Sequence, residues 1–195
     1  MPAATASATV VLLAGGSASR FPGKLERELG GTPLVVGAYE RFRADFPVVI
    51  SANAPFAPAI AARLICPIVA DERTGGGPLA GMIAAFAAVA TPLAIVVAAD
   101  LPHAEATLAR ELLAAREPGD EAVVPEHERG IEPLCALYEI AAFARSAPDV
   151  LRESGAVRDV LARLRVRRVA MAADRFLNIN SPADWDRAVA GQGVR

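Results

Sequence analysis

The sequence has little cysteine and no excess of charge of either sign. Of its 195 residues only two, Cys66 and Cys135, are cysteines, and neither belongs to a CxxC pair or a Cys/His cluster. This pattern argues against a structural zinc site, and we expect two free, buried thiols in a reducing cytosol. The formal net charge of −2 gives no global basic field that would direct the chain to nucleic acid or to an anionic membrane.

Long apolar runs are also lacking. The longest ones are rich in alanine and are either too short to span a bilayer or broken by glycine and proline. Met1–Thr9 has no basic region of the kind that opens a signal peptide. Because apolar residues make up 53% of the chain and charged residues 22%, we expect a substantial core rather than disorder. The sequence therefore predicts a cytoplasmic protein with a single domain over 1–195, of which 190–195 is a frayed tail.

Short β-branched runs alternate with helical stretches along most of the chain. The expected strands are Thr9–Leu13, Pro47–Ser51, Ile65–Ala70, Leu93–Ala98, Glu121–Val124, Pro133–Tyr138 and Val166–Met171, and the expected helices are Leu34–Arg43, Pro58–Leu64, Pro78–Val89, Ala104–Ala115, Ala141–Ser146, Val157–Leu164 and Pro182–Val189. The early strands are apolar throughout, which is typical of strands buried on both faces of a parallel sheet. The class is therefore α/β, with a mostly parallel central sheet and helices on both faces.

The strongest local feature is the segment Leu13–Lys24, in which a buried strand ends in Gly15-Gly16 and a polar loop follows. Glycines let the backbone approach a ligand, and Arg20 and Lys24 could neutralise a triphosphate. The segment is not a Walker A loop, because Lys24 is followed by leucine rather than by serine or threonine. The alternative is a flexible surface loop with two solvated cations.

Asp100 follows the apolar strand Leu93–Ala98, at the same edge of the sheet as the glycine loop. One carboxylate together with substrate phosphates is a usual environment for Mg²⁺, so Asp100 is a candidate metal ligand. The alternative is helix capping, because Asp100 and Pro102 precede the helix expected near Ala104 and aspartate is a good cap.

Further polar and glycine-rich positions follow other strands. Three glycines, Gly75 to Gly77, precede a helix that begins at Pro78, which suits an anion at a helix N-terminus. Gly81 allows another group to approach closely, and the alternative is a simple loop with tight packing at Gly81. Asn53 and Asp71 follow the second and third strands and could bind a base or ribose, although each type is common in turns.

The segment Asn178-Ile179-Asn180-Ser181-Pro182 places polar residues directly before the closing helix. Ser181 is the expected N-cap, and Asp184 completes a spacing like that of a capping box. The two histidines, His103 and His127, share no spacing with other candidate ligands, so we expect them to be exposed or satisfied locally.

Taken in order, these motifs resemble the molybdenum cofactor guanylyltransferases of the nucleotidyltransferase superfamily. The matching segments span about 10–185 and are LAGG to Lys24 (Leu13–Lys24), GGTPL (Gly30–Leu34), Ser51–Asn53, Asp71, GPLAG (Gly77–Gly81), Asp100–Pro102 and Phe176–Pro182. The resemblance implies a three-layer Rossmann-like fold. The opening loop departs from many members: it reads Phe21-Pro22-Gly23-Lys24, it is shorter, and it has no aspartate before Lys24.

The resemblance also implies a set of roles. Nucleotide contacts would come from Leu13, Ala14, Gly15, Gly16, Lys24, Asn53 and Asp71. Catalysis would depend on Arg20, Lys24 and Asp100, and Asp100 would hold Mg²⁺. The acceptor side would be lined, or the metal supported, by Gly77, Gly81, Asn178 and Asn180. The implied reaction is attack by the terminal phosphate of molybdopterin on the α-phosphorus of GTP, which releases pyrophosphate. Cofactor-delivery or acceptor proteins are further possible partners.

Two other functions stay open at this stage. One is a CTP-dependent cytidylyltransferase, or a nucleotidyltransferase acting on another small phosphorylated acceptor. The other is a nucleotide-binding module that has kept the fold and lost turnover, although the joint presence of Arg20, Lys24 and Asp100 argues against it.

Overall fold

One large β-sheet organises the protein in the computed structural model, which describes residues 8–15, 21–70 and 77–192. The strands are β1 (Ala8–Leu13), β2 (Glu28–Leu29), β3 (Thr32–Pro33), β4 (Val48–Ala52), β5 (Ile68–Ala70), β6 (Leu93–Ala98), β7 (Ala122–His127), β8 (Gly130–Ile131), β9 (Cys135–Glu139) and β10 (Val166–Ala170). The order across the large sheet is β10-β7-β9-β6-β1-β4-β5, with β8 paired to β7. Within that path only β9 runs against its neighbours, so the predicted mostly parallel sheet is confirmed.

Helices cover both faces of this sheet. They are α1 (Leu34–Phe42), α2 (Pro58–Ala61), α3 (Gly77–Ala87), α4 (Ala106–Ala115), α5 (Ile140–Glu153), α6 (Val157–Leu161) and α7 (Pro182–Gln192), with short 3-10 helices at Lys24–Glu26 and Ala173–Phe176. Within the described residues, no helix is both long and apolar enough to cross a bilayer.

Strand β1 shows how the three layers form. Its residues are all buried, and successive side chains point to opposite faces of the sheet. Val10 and Leu12 join the core with α1, α2 and α4, whereas Val11 and Leu13 join the core with α3, α5 and α6. The uninterrupted apolar pattern of the sequence is therefore explained by burial on both faces, and the α/β class with three layers is confirmed.

Several element boundaries differ from the prediction. The third expected strand, Ile65–Ala70, shortens to Ile68–Ala70 at the sheet edge, and Ile65 is 80% exposed. Helix α5 continues through Pro148 to Glu153, because Ala147 and Val150 beyond the expected end are buried in the core. The closing helix continues to Gln192, beyond the expected end at Val189.

A β-hairpin that the sequence did not predict follows the opening loop. Strands β2 and β3 pair antiparallel, and Gly30 and Gly31 between them have φ values of 63° and 79°. A two-residue turn with both φ values positive requires residues such as glycine, so the conformation explains the glycine pair. The hairpin leads the chain from the opening loop directly into α1.

Glu121 directly precedes β7 and is 5% exposed. Its Oε2 accepts a hydrogen bond from the backbone N–H of Arg165 (2.9 Å), and the Arg145 and Arg165 guanidinium groups pair with Oε1. The backbone hydrogen bond and then the Arg145 contact hold the pKa of Glu121 below its usual range. Glu121 therefore stabilises the fold above the unfolded-state pKa of about 4.3, and this contribution is lost as pH falls through the folded-state pKa.

We expect the free energy of unfolding to fall in acid less steeply in Glu121→Gln than in the wild type, because the variant lacks the titrating carboxylate. Urea denaturation at a series of pH values below about 6 measures this slope. The exposed Glu128→Gln provides a matched control and should follow the wild type. Identical slopes for Glu121→Gln and the wild type would contradict the prediction.

Candidate active site

A cleft of about 390 Å³ opens at the carboxyl ends of β1, β4 and β6, which is the edge where open α/β sheets bind ligands. We call it the first cleft. It is lined by Leu13, Ala14, Gly15, Gly23, Lys24, Leu25, Glu26, Asn53, Ala54, Pro55, Phe56, Asp100 and Asn180. Most of the site residues predicted from sequence that the structure describes are therefore brought together here.

Lys24 lies at the centre of a hydrogen-bond network in the first cleft. Its Nζ donates to Asp100 Oδ2 (2.6 Å), to the Ile179 carbonyl (2.7 Å) and to Asn180 Oδ1 (3.2 Å). An ammonium has three N–H donors, so these three acceptors engage all of them. The Lys24 side chain is 13% exposed and that of Asp100 17%. The alternative of a solvated cation at Lys24 is therefore wrong.

Local packing fixes the position of Lys24. Gly23 has a φ of 70°, a left-handed conformation that favours glycine, and it begins the short helix that carries Lys24. Phe21 is buried and packs edge-on against Trp185 of α7, with ring centroids 5.8 Å apart. The guanidinium of Arg27 lies 4.9 Å from the centre of the Phe21 ring. The segment Phe21–Lys24, which departs from the family pattern, therefore packs against the closing helix α7 through Phe21.

Asp100 is held by the turn that follows β6 rather than by a helix. Helix α4 begins at Ala106 with Glu105 at its N-cap, so the capping alternative for Asp100 is wrong. Arg41 of α1 secures the turn, because its Nε donates to the Ala104 carbonyl (2.8 Å) and its Nη2 to the Leu101 carbonyl (3.1 Å). Burial lowers the pKa of Arg41 to about 10, which leaves the group charged at neutral pH. No pattern in the sequence predicts this contact.

The other wall of the first cleft depends on a close contact between Gly15 and Asn53. A Cβ atom at Gly15 would lie 2.3 Å from Asn53 Oδ1, so any side chain there would displace the amide. The amide is the flexible end of its side chain and can move without disturbing the core. Gly15 therefore permits the backbone of the opening loop and the Asn53 amide to share this wall.

We expect Gly15→Ala to raise the KM for a substrate bound in the first cleft about tenfold, which is the size of one lost hydrogen bond, with little change in melting temperature. Steady-state kinetics and thermal melting measure the two effects. Asn53→Ala is the matched variant. If displacement of the amide causes the effect, the KM of the double variant should be no higher than that of either single variant. Additive losses would contradict this explanation.

A second cleft of about 390 Å³ lies on the other side of the Asp100 turn. It is lined by Pro78, Ala98, Leu101, Arg129, Ile131, Glu132, Pro133, Leu134, Gly155, Ala156, Val157, Arg158 and Asn178. Asn178 lines this cleft, whereas Asn180, two residues on, lines the first. The backbone N–H of Ile179 between them donates to the Asp100 carbonyl (3.0 Å). The segment that carries both asparagines is therefore hydrogen-bonded to the Asp100 turn, and together they separate the two clefts.

The second cleft contains charged residues that no sequence motif indicates. Arg129, Glu132 and Arg158 come from the β7–β8 hairpin, the turn before β9 and helix α6. In sequence they are ordinary charged residues near turns, without a recognisable motif. Only the pairing of β9 between β6 and β7 shows that these segments face the end of β6.

The structure places the predicted acceptor residues in different surroundings. Gly81 is buried, and a Cβ atom there would lie 2.8 Å from Ser51 Oγ, so this glycine serves close packing of α3 on β4. Gly77 has a φ of 62° and directly precedes Pro78, which lines the second cleft. The roles of Gly77 and Gly81 toward an acceptor stay predictions.

The capping box at the closing helix is present. The backbone N–H of Asp184 donates to Ser181 Oγ (3.2 Å), and Asp184 Oδ2 accepts from the Ser181 hydroxyl (2.8 Å) and the backbone N–H of Asn180 (3.0 Å). These hydrogen bonds, first that of Ser181, hold the pKa of Asp184 below its usual range. The cap therefore orients Asn180 toward Lys24.

Three predicted site residues, Gly16, Arg20 and Asp71, lie outside the described residues, so their roles stay predictions. Both cysteines are described and free. Cys135 is buried as expected, but Cys66 is only half-buried, and burial raises the pKa of the two thiols to about 12 and 11 respectively.

Metal coordination by protein atoms alone is not supported in the part of the chain that the structure describes, because no group of three or more His, Cys, Asp or Glu side chains converges there. Asp100 offers a single carboxylate at the edge of the first cleft. Such a site fits a cation that takes one or two protein carboxylates and completes its shell with phosphate oxygens and water, as Mg²⁺ does.

Comparison with known proteins shows the family to which the chain belongs. The family described as the MobA-like NTP transferase domain matches residues 10–169. A molybdenum cofactor guanylyltransferase from Acidiphilium cryptum is 34% identical, over 93% of this chain and 94% of that protein. One from Burkholderia vietnamiensis is 33% identical, over 97% and 98%.

Among solved structures, molybdopterin-guanine dinucleotide biosynthesis protein A from Archaeoglobus fulgidus superposes with a TM-score of 0.82 at 25% identity, covering 96% of this chain and 100% of that one. The cytidylyltransferase that acts on 2-C-methyl-D-erythritol 4-phosphate in Thermus thermophilus shares the fold, with a TM-score of 0.72 at 18% identity. The resemblance drawn from the sequence motifs is confirmed, and this chain belongs to the MobA-like NTP transferase family, together with the molybdenum cofactor guanylyltransferases.

Proposed function

We propose that this protein transfers GMP from GTP to the terminal phosphate of molybdopterin and releases pyrophosphate. The observation that carries the proposal is the position of the Lys24–Asp100 pair, which lies at the junction of two clefts of similar size. One cleft begins at the glycine loop and would take the nucleotide, whereas the other contains two guanidinium groups and would take an anionic acceptor. A group-transfer enzyme needs its two substrates to meet at the charged groups that promote the reaction.

In the first cleft the backbone from Leu13 to Gly15 and the amide of Asn53 would hold the base and ribose. Gly16, Arg20 and Asp71 would add contacts to the phosphates and the ribose, as the family resemblance implies. The volume of the first cleft, about 390 Å³, lies in the range of small-molecule binding sites. The acceptor would contact Asn178 in the second cleft and Asn180 at the junction.

Lys24 would stabilise the negative charge that develops on the α-phosphate during attack. Its ammonium is already desolvated and oriented by Asp100, the Ile179 carbonyl and Asn180, so little reorganisation is needed when it exchanges one of these acceptors for a phosphate oxygen. The attacking oxygen belongs to an ionised phosphate, and therefore no covalent enzyme nucleophile is required.

We further propose that Asp100 is the protein ligand of a Mg²⁺ ion that enters with the nucleotide. The ion would neutralise charge on the phosphates. Because Asp100 Oδ2 is bonded to Lys24, the carboxylate has to share or exchange that partner when the metal binds. We also propose that the chain acts as a single domain in the cytoplasm, which the free thiols of Cys66 and Cys135 support.

A nucleotide panel tests the proposal. Purified protein is incubated with Mg²⁺, molybdopterin and each nucleoside triphosphate in turn, and pyrophosphate release is measured. We expect release with GTP alone. Release with CTP would overturn the guanylyl assignment in favour of a cytidylyltransferase, and nucleotide binding without release with any acceptor would favour a non-catalytic module. Thermal shift with GTP and with CTP measures binding independently of turnover.

A further inference from the structure

The second cleft combines a carboxylate with two guanidinium groups, those of Glu132, Arg129 and Arg158. Guanidinium groups suit a phosphorylated acceptor, but a carboxylate would repel one. Its presence there is explained if part of the ligand carries hydrogen-bond donors. Resting on the proposed function, we propose that Glu132 recognises the amino edge of the pterin ring of the acceptor and thereby determines acceptor specificity.

A buried histidine fixes the Glu132 carboxylate. His127 Nε2 lies 2.8 Å from Glu132 Oε1, and His127 Nδ1 accepts a hydrogen bond from the backbone N–H of Arg129 (3.1 Å). Since Nδ1 is an acceptor, Nε2 carries the proton and donates to Glu132. The His127 side chain is 2% exposed and stacks on Phe176, with centroids 5.4 Å apart. No other described side chain hydrogen-bonds to the carboxylate, which leaves Oε2 and the second lone pair of Oε1 for a ligand.

The backbone that carries Glu132 is also held in place. The Glu132 N–H donates to the Pro125 carbonyl (3.0 Å), and the Cys135 N–H donates to the Glu132 carbonyl (3.1 Å). The buried hydroxyl of Tyr138 donates to the Pro133 carbonyl (2.7 Å), and Arg158 Nη2 donates to the Ile131 carbonyl (3.1 Å). A turn secured in this way presents its carboxylate in one orientation, and preorganisation of this kind favours selective binding.

A pterin ring matches the chemistry of the second cleft. Its 2-amino group and the adjacent ring nitrogen present two parallel donors on a flat edge, which complement a carboxylate as a guanidinium does. The apolar side chains of Leu101, Pro133 and Leu134 offer surfaces to the ring faces. The terminal phosphate would then point toward the Asp100 turn at the junction with the first cleft.

The test measures direct binding of 6-hydroxymethylpterin phosphate, and of the matching lumazine phosphate, in which an oxo group replaces the 2-amino group. Wild-type protein should bind the pterin about tenfold to a hundredfold more tightly than the lumazine, which is the range for hydrogen bonds to a charged group. Glu132→Gln should lose most of this preference. Glu126→Gln is the matched control, because Glu126 lies on β7 next to His127 but pairs with Arg168 (2.9 Å) outside the cleft.

The inference is overturned if Glu132→Gln keeps the wild-type preference, if Glu126→Gln loses it equally, or if wild-type protein does not distinguish the two ligands. Thermal melting of each variant shows that the fold is intact. Binding is measured without nucleotide, so its outcome does not depend on turnover. If pterin binding depends on Glu132 but no pyrophosphate is released in the nucleotide panel, only the proposal of GMP transfer is overturned.

Discussion

Replacing Lys24 with alanine is expected to lower kcat by about a hundredfold to a thousandfold, which is the cost of removing one preorganised donor from a developing negative charge. The effect should fall on kcat, because we propose that the phosphates react at the junction where the ammonium lies. Pyrophosphate release at saturating GTP and acceptor measures it. We also expect a loss of stability, since the Asp100 carboxylate, 17% exposed, would keep no cationic partner among the residues that the structure describes.

Two companion variants separate charge from geometry. Lys24→Arg keeps the charge, but a planar guanidinium cannot reproduce three converging bonds from one nitrogen, so we expect it to recover little activity. Arg43→Ala removes a cation that lies over the Tyr39 ring rather than in the first cleft, and it should leave kcat nearly unchanged. Near wild-type turnover by Lys24→Ala would contradict the catalytic role of this residue.

Asp100→Asn is expected to lower kcat/KM for GTP by about a thousandfold, because the amide keeps the size of the side chain but loses its negative charge. A metal ion contributes several kcal/mol to stabilising phosphoryl charge, and a tenfold change in rate corresponds to about 1.4 kcal/mol. The variant should also need a higher Mg²⁺ concentration for half-maximal rate. Initial rates over a Mg²⁺ titration measure both quantities.

Asp45→Asn is the matched control for this experiment. Asp45 forms an ion pair with Arg110 at the surface (2.6 Å), away from both clefts. It should show the wild-type rate and the wild-type Mg²⁺ dependence. If Asp100→Asn loses activity while its Mg²⁺ dependence is unchanged, Asp100 acts through Lys24 alone and the proposal that it holds the metal is wrong.

Much of the fold could be predicted, because a strand that is buried on both faces has an uninterrupted apolar sequence. The apolar runs at β1 and β6 each became a buried central strand, and Asp100 followed at the expected edge. The length of edge strand β5 was overestimated, because the first residues of the predicted strand are not held in the sheet by burial. Ile65, for example, is 80% exposed. The reversal of β9 depends on pairing across the sheet, which local patterns do not encode.

The candidate site likewise contains some residues that could be predicted from the sequence and others that could not. Residues in short motifs, such as Lys24 and Asp100, were found because their chemistry is visible in a few letters of sequence. The Lys24–Asp100 contact joins residues 76 positions apart and could not be predicted from spacing. Glu132 was missed because its orientation comes from His127, and neither residue belongs to a recognisable motif. Their relation is set by a hairpin and a turn rather than by periodicity.

Lys24 is the only lysine in the 195-residue sequence, so every other permanently cationic side chain is an arginine. The one side-chain primary amine of the protein is therefore the group that lies between the two clefts. Acylating and reductively alkylating reagents, which modify amines and spare guanidinium groups, would mark this position among the side chains. The extent of that modification, read by mass spectrometry, provides an intrinsic reporter of occupancy at the junction without any engineered label.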